Sequence, residues 1–373
     1  MTITFFLNRL NHHQAPVADE LFSLLGESFT FVETVEPSNN SNKGSDEDFS
    51  SRPYLLQAWR SEELKVRAMA LAIGSDVAVF GDHSIFYEIE RSRNTNLLSF
   101  ELSERWLKRG ILSFFSPRFL KSQWYYHTLF YKKPVYKLCA SAYASRDQRL
   151  LHSFNNRCFK WGYFPYLDCG ELSYKADPSS LMWCARFIKW KHPEYPILLA
   201  YRLKRLGYRF SLDLYGDGPE LGKTKKLADR LKVNDVVFFH GFQANKIILS
   251  EMRRHHIFLF TSDKREGWGV VANEAMSNGC VLVADNEIGS TPYLVKDRIT
   301  GCSYRHGSIH SLETEVRWLL DNENRSMEIG YNAERYIIEY WNPANAARSL
   351  IMLSDALLSS KSVSIKEGPC SKA

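Results

Sequence analysis

Two apolar runs, His256-Ile257-Phe258-Leu259-Phe260 and Cys280-Val281-Leu282-Val283-Ala284, bracket a stretch that admits few structures. Each run suits a buried strand and is too short for a helix. Between them Val270 to Ser277 carries a helical pattern, and Gly279 supplies a left-handed stop. Strand, helix and parallel strand form a βαβ unit, which belongs in a sheet covered on both faces. The loop Glu266-Gly267-Trp268-Gly269 then lies at the carboxyl edge of that sheet, where ligands bind. Its glycines let backbone N–H groups approach an anion at a helix start. Glu266 stands in the loop and Glu274 in the helix. Two carboxylates beside bare backbone donors suit a ligand that is rich in hydroxyls and carries phosphate. The bland alternative makes both glutamates solvated positions of an ordinary α/β loop.

The spacing Glu-Gly-Trp-Gly, then Glu-Ala-Met, then Gly279 resembles the Glu-x7-Glu signature of retaining GT-B glycosyltransferases. These are the group 1, or family 4, enzymes that include many bacterial polysaccharide and lipopolysaccharide sugar transferases. The resemblance runs from about Leu181 to about Leu350. It implies that Glu266 contacts the donor sugar. The amides of Gly267, Trp268, Gly269 and Val270 would serve sugar and phosphate, and Glu274 the ribose. In this family an Arg just past a strand and a Lys five residues on hold the donor diphosphate. Arg186 and Lys191 match that spacing after the apolar run Leu181 to Ala185, with Lys189 as a rival for Lys191. A diphosphate needs cationic donors, Arg as a fork and Lys as a point charge. Gly216, in the turn Gly216-Asp217-Gly218, also matches the family, mostly as a structural feature. Gly241 and Phe242 fall where relatives present backbone to the nucleotide base.

A chain of 373 residues can bury two α/β cores. A net charge of +6 fits an anionic ligand or membrane face, and no nucleic-acid motif accompanies it. The seven cysteines lack Cys-x-x-Cys spacing, which reads as reduced thiols in a cytoplasmic protein without a zinc site. The run Met1 to Leu7 reads as a first buried strand, not as a signal sequence, and no run is long enough to span a membrane.

The first half repeats the βα pattern. Asn8 to Gln14 forms a loop after the first strand, and Pro16 suits a helix start. Relatives often have a glycine-rich loop here. This chain offers Asn11, His12 and His13, of which His13 is the candidate ligand-facing group. Further strands are expected at Phe29 to Val35, Asp76 to Phe80 and Leu97 to Leu102, and a helix at Leu64 to Ile73. Pro37 to Asp48 reads as a surface loop. Ser103-Glu104-Arg105 is expected to open a helix where relatives carry a catalytic His. Glu104 is therefore either a catalytic group or a first-turn acid facing the helix dipole.

Arg105 to Lys137 combines aromatic and basic residues with no acid. It reads either as core aromatics with outward cations or as a surface that meets anionic lipid. The resemblance implies two Rossmann-like doubly wound domains facing a cleft. The expected division is 1–165, a linker at 166–179, a nucleotide-sugar domain at 180–343, a helix at 344–358 returning to the first domain, and a disordered tail at 359–373. The implied activity is transfer of a sugar, with retention and without a metal or other cofactor. The donor is a nucleotide-diphosphate sugar, taken as a UDP-sugar, and the acceptor a saccharide or lipid-linked saccharide in surface-polysaccharide biosynthesis. The implied location is cytoplasmic, with peripheral contact on the inner membrane face if 105–137 meets lipid. Two rivals are a nucleotide-sugar epimerase on the same fold and a non-catalytic, membrane-docked partner with a degenerate donor site. The Glu266/Glu274 pair argues against the epimerase, and an assay of donor hydrolysis or transfer separates the other.

Overall fold

All five residues of Ile-Thr-Phe-Phe-Leu at positions 3–7 are buried, as expected of a strand covered on both faces. A computed structural model describes residues 1–36, 48–108, 110–167 and 177–373. The chain forms two units, Met1–Tyr166 with Tyr340–Ala373, and Leu167–Glu339.

The first unit is built on β1 (Ile3–Leu7), β2 (Phe29–Glu33), β3 (Leu55–Gln57), β4 (Val77–Phe80), β5 (Leu98–Ser103), β6 (Val135–Cys139) and β7 (Cys158–Lys160). Its helices are α1 (Ala15–Leu25), α2 (Glu62–Gly74), α3 (Ile85–Asn94), α4 (Pro117–Tyr125) and α5 (Ala142–Leu150). The second unit has strands β8 (Asp177–Cys184), β9 (Ser211–Tyr215), β10 (Val237–Gly241), β11 (His255–Phe260), β12 (Val281–Asp285) and β13 (Gly301–Tyr304). Its helices are α6 (Glu194–Arg205), α7 (Leu221–Leu231), α8 (Asn245–Met252), α9 (Val271–Ser277), α10 (Thr291–Leu294), α11 (Ile309–Asp321) and α12 (Glu323–Glu339). A last helix, α13 (Pro343–Leu358), belongs to the first unit and packs on α1.

The sheet orders are β3-β2-β1-β4-β5-β6-β7 and β10-β9-β8-β11-β12-β13. The pairings between these strands are all parallel. Each sheet is doubly wound, so each has one switch point where chain direction across the sheet reverses. It falls between β1 and β4 in one unit and between β8 and β11 in the other. Loops leaving the strands there part to opposite faces and leave a crevice. In the first core, Phe6 stacks on Phe80 at 5.1 Å and on Tyr87 at 5.2 Å. The second core packs Trp183, Phe187, Leu212, Leu214, Ile257, Leu259, Val281 and Val283.

Two expectations are corrected, and one strand escaped the sequence reading. Glu104 opens no helix: β5 runs on to Ser103, and residues 104–107 are irregular. Asp147 captures the Leu107 N–H at 2.8 Å, and the next α-helix waits for Pro117. The strand β3 went unread, because three residues carry too little pattern. The tail is ordered, not free. Cys370 N donates to Lys160 O at 2.7 Å, Lys160 N to Ser371 O at 2.8 Å, and Ala373 N to Cys158 O at 3.2 Å. Phe159 and Lys372 pair antiparallel, and Cys370 is fully buried. The tail thereby covers the open edge of β7, whose backbone groups otherwise lack partners. Residues 37–47 of the expected surface loop and 168–176 of the expected linker lie outside the described residues.

The basic and aromatic stretch divides between interior and surface. Lys137 is wholly buried, donating to Glu101 Oε1 at 2.9 Å and Ser103 Oγ at 2.8 Å beneath the Trp106 ring. Arg105 pairs with Asp147 and Lys108 with Glu104, while Lys133 donates to Thr95 O and Asn96. Phe119, Tyr126 and Phe130 are buried, whereas Leu112, Phe115, Leu120 and Trp124 are exposed.

Deleting residues 361–373 should remove the three backbone bonds to β7 and the Cys370 contacts. We expect a loss of roughly 2–4 kcal/mol, read as a lower urea midpoint of the truncated protein than of the 373-residue chain. An unchanged midpoint would count against the edge-strand role.

Candidate functional site

In the second unit, the switch point between β8 and β11 gathers the residues singled out by the sequence. After β8 the chain turns through Arg186 to Lys191, and after β11 through Ser262 to Gly269. The two loops are tied by hydrogen bonds. Trp183 Nε1, buried at the end of β8, donates to Thr261 Oγ1 at 2.9 Å. Thr261 Oγ1 in turn donates to Lys191 O at 2.7 Å, and Asp263 N to Trp190 O at 3.0 Å. The Lys191 ammonium ion-pairs with Glu266, and each side chain is only 12% exposed. Glu266 also accepts from Ser262 Oγ at 3.0 Å. Lys191, lying over the Trp190 ring at 4.6 Å, is therefore the lysine at this site. Lys189 points to solvent. Arg186 is exposed and makes no ion pair among the described residues.

The glycines have definite duties. A β-carbon on Gly269, whose φ is 80°, would stand 2.3 Å from Phe260 Cζ and 3.2 Å from Glu266 Cδ. Gly269 thus clears the space in which the Glu266 carboxylate sits. Gly216, at φ 124°, would meet Ala185 O at 2.0 Å. Its N–H is taken by Gly241 O at 2.7 Å, which ties the end of β9 to β10, while its close approach to Ala185 packs it against the start of the Arg186 loop. The indole of Trp268 is fully buried and donates to Asn273 Oδ1 at 2.8 Å. Ser290 Oγ holds the Trp268 carbonyl at 2.5 Å. The Trp268 side chain therefore anchors the loop, and only its main chain is open to a ligand role. Gly267 is buried in the same loop, and Val270 caps α9. Phe242 follows Gly241 and is 76% exposed.

Glu274 sits on α9 with Asn245 Nδ2, from the start of α8, 3.4 Å from Oε1. Burial lifts its carboxyl to about 7, against the weaker opposing effect of Asn245. The carboxyl is thus half protonated at neutral pH and poised to gain hydrogen bonds from hydroxyl groups. Asn245, Thr261, Ser262 and Asp263 complete this site and escaped the sequence reading. The placement of Asn245 at a helix start was the one available signal.

In the first unit, His13 follows β1 at that unit's switch point. Burial, then the neighbouring His12, lowers its pKa to about 3, so the ring is neutral at physiological pH. Its Nδ1 is buried without a hydrogen-bond partner. A small cavity there is lined by His13, Gln14, Leu102, Trp161 and Tyr163. The Tyr163 hydroxyl donates to Glu104 Oε1 at 3.1 Å, and Glu104 also pairs with Lys108. Burial, then Glu104, raises the Tyr163 pKa well above its ordinary value and keeps the phenol protonated.

Residues 173–336 match the family model described as glycosyl transferases group 1. Over 133 residues the chain is 29% identical to the poly(glycerol-phosphate) alpha-glucosyltransferase of Bacillus subtilis (strain 168), covering 35% of this chain and 19% of that protein. Over 126 residues it is 29% identical to the N-acetyl-alpha-D-glucosaminyl L-malate synthase of Bacillus anthracis, covering 34% of this chain and 32% of that protein. The chain thus spans less than a third of the length of these curated relatives. Among solved structures, Anabaena Alr3699/HepE in complex with UDP superposes with a TM-score of 0.70 at 14% identity, over 96% of this chain and 100% of that one. At that identity the likeness is one of fold: two Rossmann-like domains.

The raised Glu274 pKa has a consequence for stability. Between the unfolded value of 4.5 and the folded value of about 7, the folded state holds the extra proton. Stability attributable to this group therefore falls as pH rises through that window. Glu274→Gln removes the ionisation and should stabilise the protein at about pH 8 by on the order of 1–3 kcal/mol, with no gain near pH 4. Denaturant titrations at the two pH values check this, and an equal effect at both would contradict the assignment.

Proposed function

We propose that this chain, whose residues 173–336 belong to the glycosyl transferases group 1 family, moves a sugar from a nucleotide-diphosphate donor to a saccharide or lipid-linked acceptor. The observation that carries this reading is the Lys191–Glu266 pair at the β8/β11 switch point. The context is surface-polysaccharide assembly, as the family resemblance suggests and as the Bacillus subtilis relative, named for glucosylating poly(glycerol-phosphate), is consistent with. We take the donor to be a UDP-sugar, since the Anabaena protein of the same fold was solved with UDP.

Transfer proceeds with retention through an oxocarbenium-like state from which the nucleoside diphosphate departs. The growing charge on the leaving diphosphate is met by Arg186, Lys191 and loop amides, so the protein itself supplies the charge that a metal would otherwise bring. An ammonium has three N–H donors, and Glu266 engages one. Lys191 can therefore serve a phosphate without releasing the carboxylate. Glu266, held by Lys191 and Ser262, keeps an oxygen for the donor sugar's hydroxyls. Glu274, largely desolvated and backed by Asn245, binds the ribose. Gly241 and Phe242 meet the base. In the first unit we assign acceptor contacts to His13, as a neutral hydrogen-bonding ring, and to Glu104.

A second reading concerns where the protein works. Among the described residues no helix is long and apolar enough to cross a membrane. Leu112, Phe115, Leu120 and Trp124 are exposed together with Lys121 and Lys132, while Arg118 pairs with Asp82. We propose that this surface rests on anionic lipid at the cytoplasmic face. The cations buried or paired within the fold take no part in it.

Calorimetric titration tests the donor site. Arg186→Ala and Lys191→Ala should each weaken UDP binding by roughly 1.5–3 kcal/mol, the scale of a charge-assisted bond. Glu266→Gln should abolish transfer while weakening UDP binding less than either cation variant, because the amide can still hydrogen-bond the Lys191 ammonium. Undiminished UDP affinity in both cation variants would sink the donor assignment.

Liposome flotation tests the surface. The protein should float with anionic but not neutral vesicles, and lose the lipid at high salt or in a Phe115→Ala/Trp124→Ala/Lys121→Ala variant. Failure to float with any vesicle would leave those aromatics without this role.

A further inference from the structure

His192 is held in a left-handed backbone conformation, φ 51° and ψ 56°. A residue with a β-carbon adopts this region reluctantly, and it persists only where the surroundings enforce it. The enforcement is visible. His192 follows Lys191 directly, and its ring lies between two carboxylates from different elements. Nδ1 is 2.8 Å from Glu194 Oε1 at the start of α6, and Nε2 is 3.6 Å from Asp263 Oδ2 in the loop after β11. Tyr195 stacks on the ring at 4.7 Å. Asp263 is itself gripped by Arg265, whose Nε lies 3.0 Å from both carboxylate oxygens.

The ring is hydrogen-bonded to Glu194 and stands at ion-pair distance from Asp263, so one carboxylate on each side favours the form in which both nitrogens carry hydrogen. The geometry therefore selects the imidazolium. The bond to Glu194 raises the His192 pKa against the opposing pull of burial, and Asp263 adds to the rise. At Asp263 burial favours the neutral acid, and the Arg265 fork overcomes it, so the carboxylate stays charged. The charged neighbours are thus Glu194 from α6, Asp263 and Arg265 from the β11 loop, and Lys191 with Glu266 alongside.

We propose that His192 is a positioning residue, whose protonated ring clasps the β8 loop to the β11 loop and so holds Lys191 against Glu266 in the geometry that binds a nucleoside diphosphate. This rests on the donor-site reading above for its functional meaning. The clasp itself is a property of the protein alone. Because the folded pKa is raised, the clasp is present at low pH and is lost as pH rises through that value. No contact between His192 and the donor is invoked.

The test uses the full chain, His192→Asn and His192→Gly. Asn tolerates the left-handed region and Gly adopts it freely, so neither variant strains the backbone and both should fold. Two readouts are taken at about pH 6 and about pH 8. Amide-exchange protection of residues 188–194 and 262–267 reports the clasp without ligand. UDP titration reports the site, and the nucleotide's own ionisation cancels in the ratio of variant to parent. The parent should lose loop protection between the two pH values, while the variants stay weakly protected at both. At the lower pH the variants should bind UDP roughly fivefold more weakly or worse, with the gap closing at the higher pH. Equal protection in parent and Asn variant, or protection that does not change with pH, overturns the proposal. If UDP binds normally alongside that result, the donor reading stands without the clasp. If protection behaves as expected but UDP binds none of the three proteins, the clasp stands and the donor reading falls.

Discussion

Lys191 and Glu266 come from loops 75 residues apart in sequence, and both are almost withdrawn from water. Two charges so placed cost several kcal/mol each in lost hydration, and only close, well-satisfied geometry offsets that cost. Much of the second unit's carboxyl edge serves this geometry. The strand order puts β8 beside β11, so the two loops leave the sheet as neighbours. Trp183 and Thr261 fix the carbonyl of Lys191, Ser262 takes a lone pair of Glu266, and Gly269 withholds the β-carbon that would crowd the carboxylate. Removing either charge strands the other. The pair thus constrains its surroundings more tightly than an apolar contact could.

Much of this was legible because it is local. Parallel strands buried on both faces are written as unbroken apolar runs, so β1, β4, β8, β11 and β12 could be read without partners. Glu266, Gly269 and Glu274 fall within one loop and helix, so their spacing survives in the sequence. What escaped depends on partners far along the chain. Asn245 gains meaning only from Glu274, 29 residues on, and Thr261 from Trp183, 78 residues back. A left-handed His192 has no composition signal, because nothing in Lys-His-Pro announces that two carboxylates will trap the ring. The tail was misread for the same reason: polar residues look free until the bare edge of β7 is known.

The stretch 105–137 shows how composition misleads when direction is unknown. Eight cations among aromatics suggest one basic face. Yet Lys137 lies on a central strand, where alternation turns it inward, and it is tolerated there because Glu101, Ser103 and the Trp106 ring satisfy it. Nearby Glu88 is also buried, and burial, then Glu101, raises its pKa well above the usual carboxylate range. Lys137 pairs with Glu101, and burial and that carboxylate push Glu88 toward its neutral form. The charge that looked available to a membrane is spent inside the fold, which leaves the exposed apolar side chains of 112–124 as the larger part of that surface.

The two cations of the proposed donor site differ in the same physical sense. Arg186 stands in water, where its field reaches about a Debye length and weakens with salt. Lys191 is desolvated and already bound to Glu266, so its charge is less screened but less free. On the proposed reading these conditions divide the work on a diphosphate. An exposed, unpaired guanidinium draws the anion in and contributes mainly to the rate of association. A fixed ammonium, held in place by its carboxylate, contributes once the phosphate has displaced water, and so acts mainly on the rate of release. A half-protonated Glu274 beside them adds little repulsion to an arriving anion, because burial keeps much of its negative charge off. The acidic residues of the site therefore do not oppose the ligand that the basic ones attract.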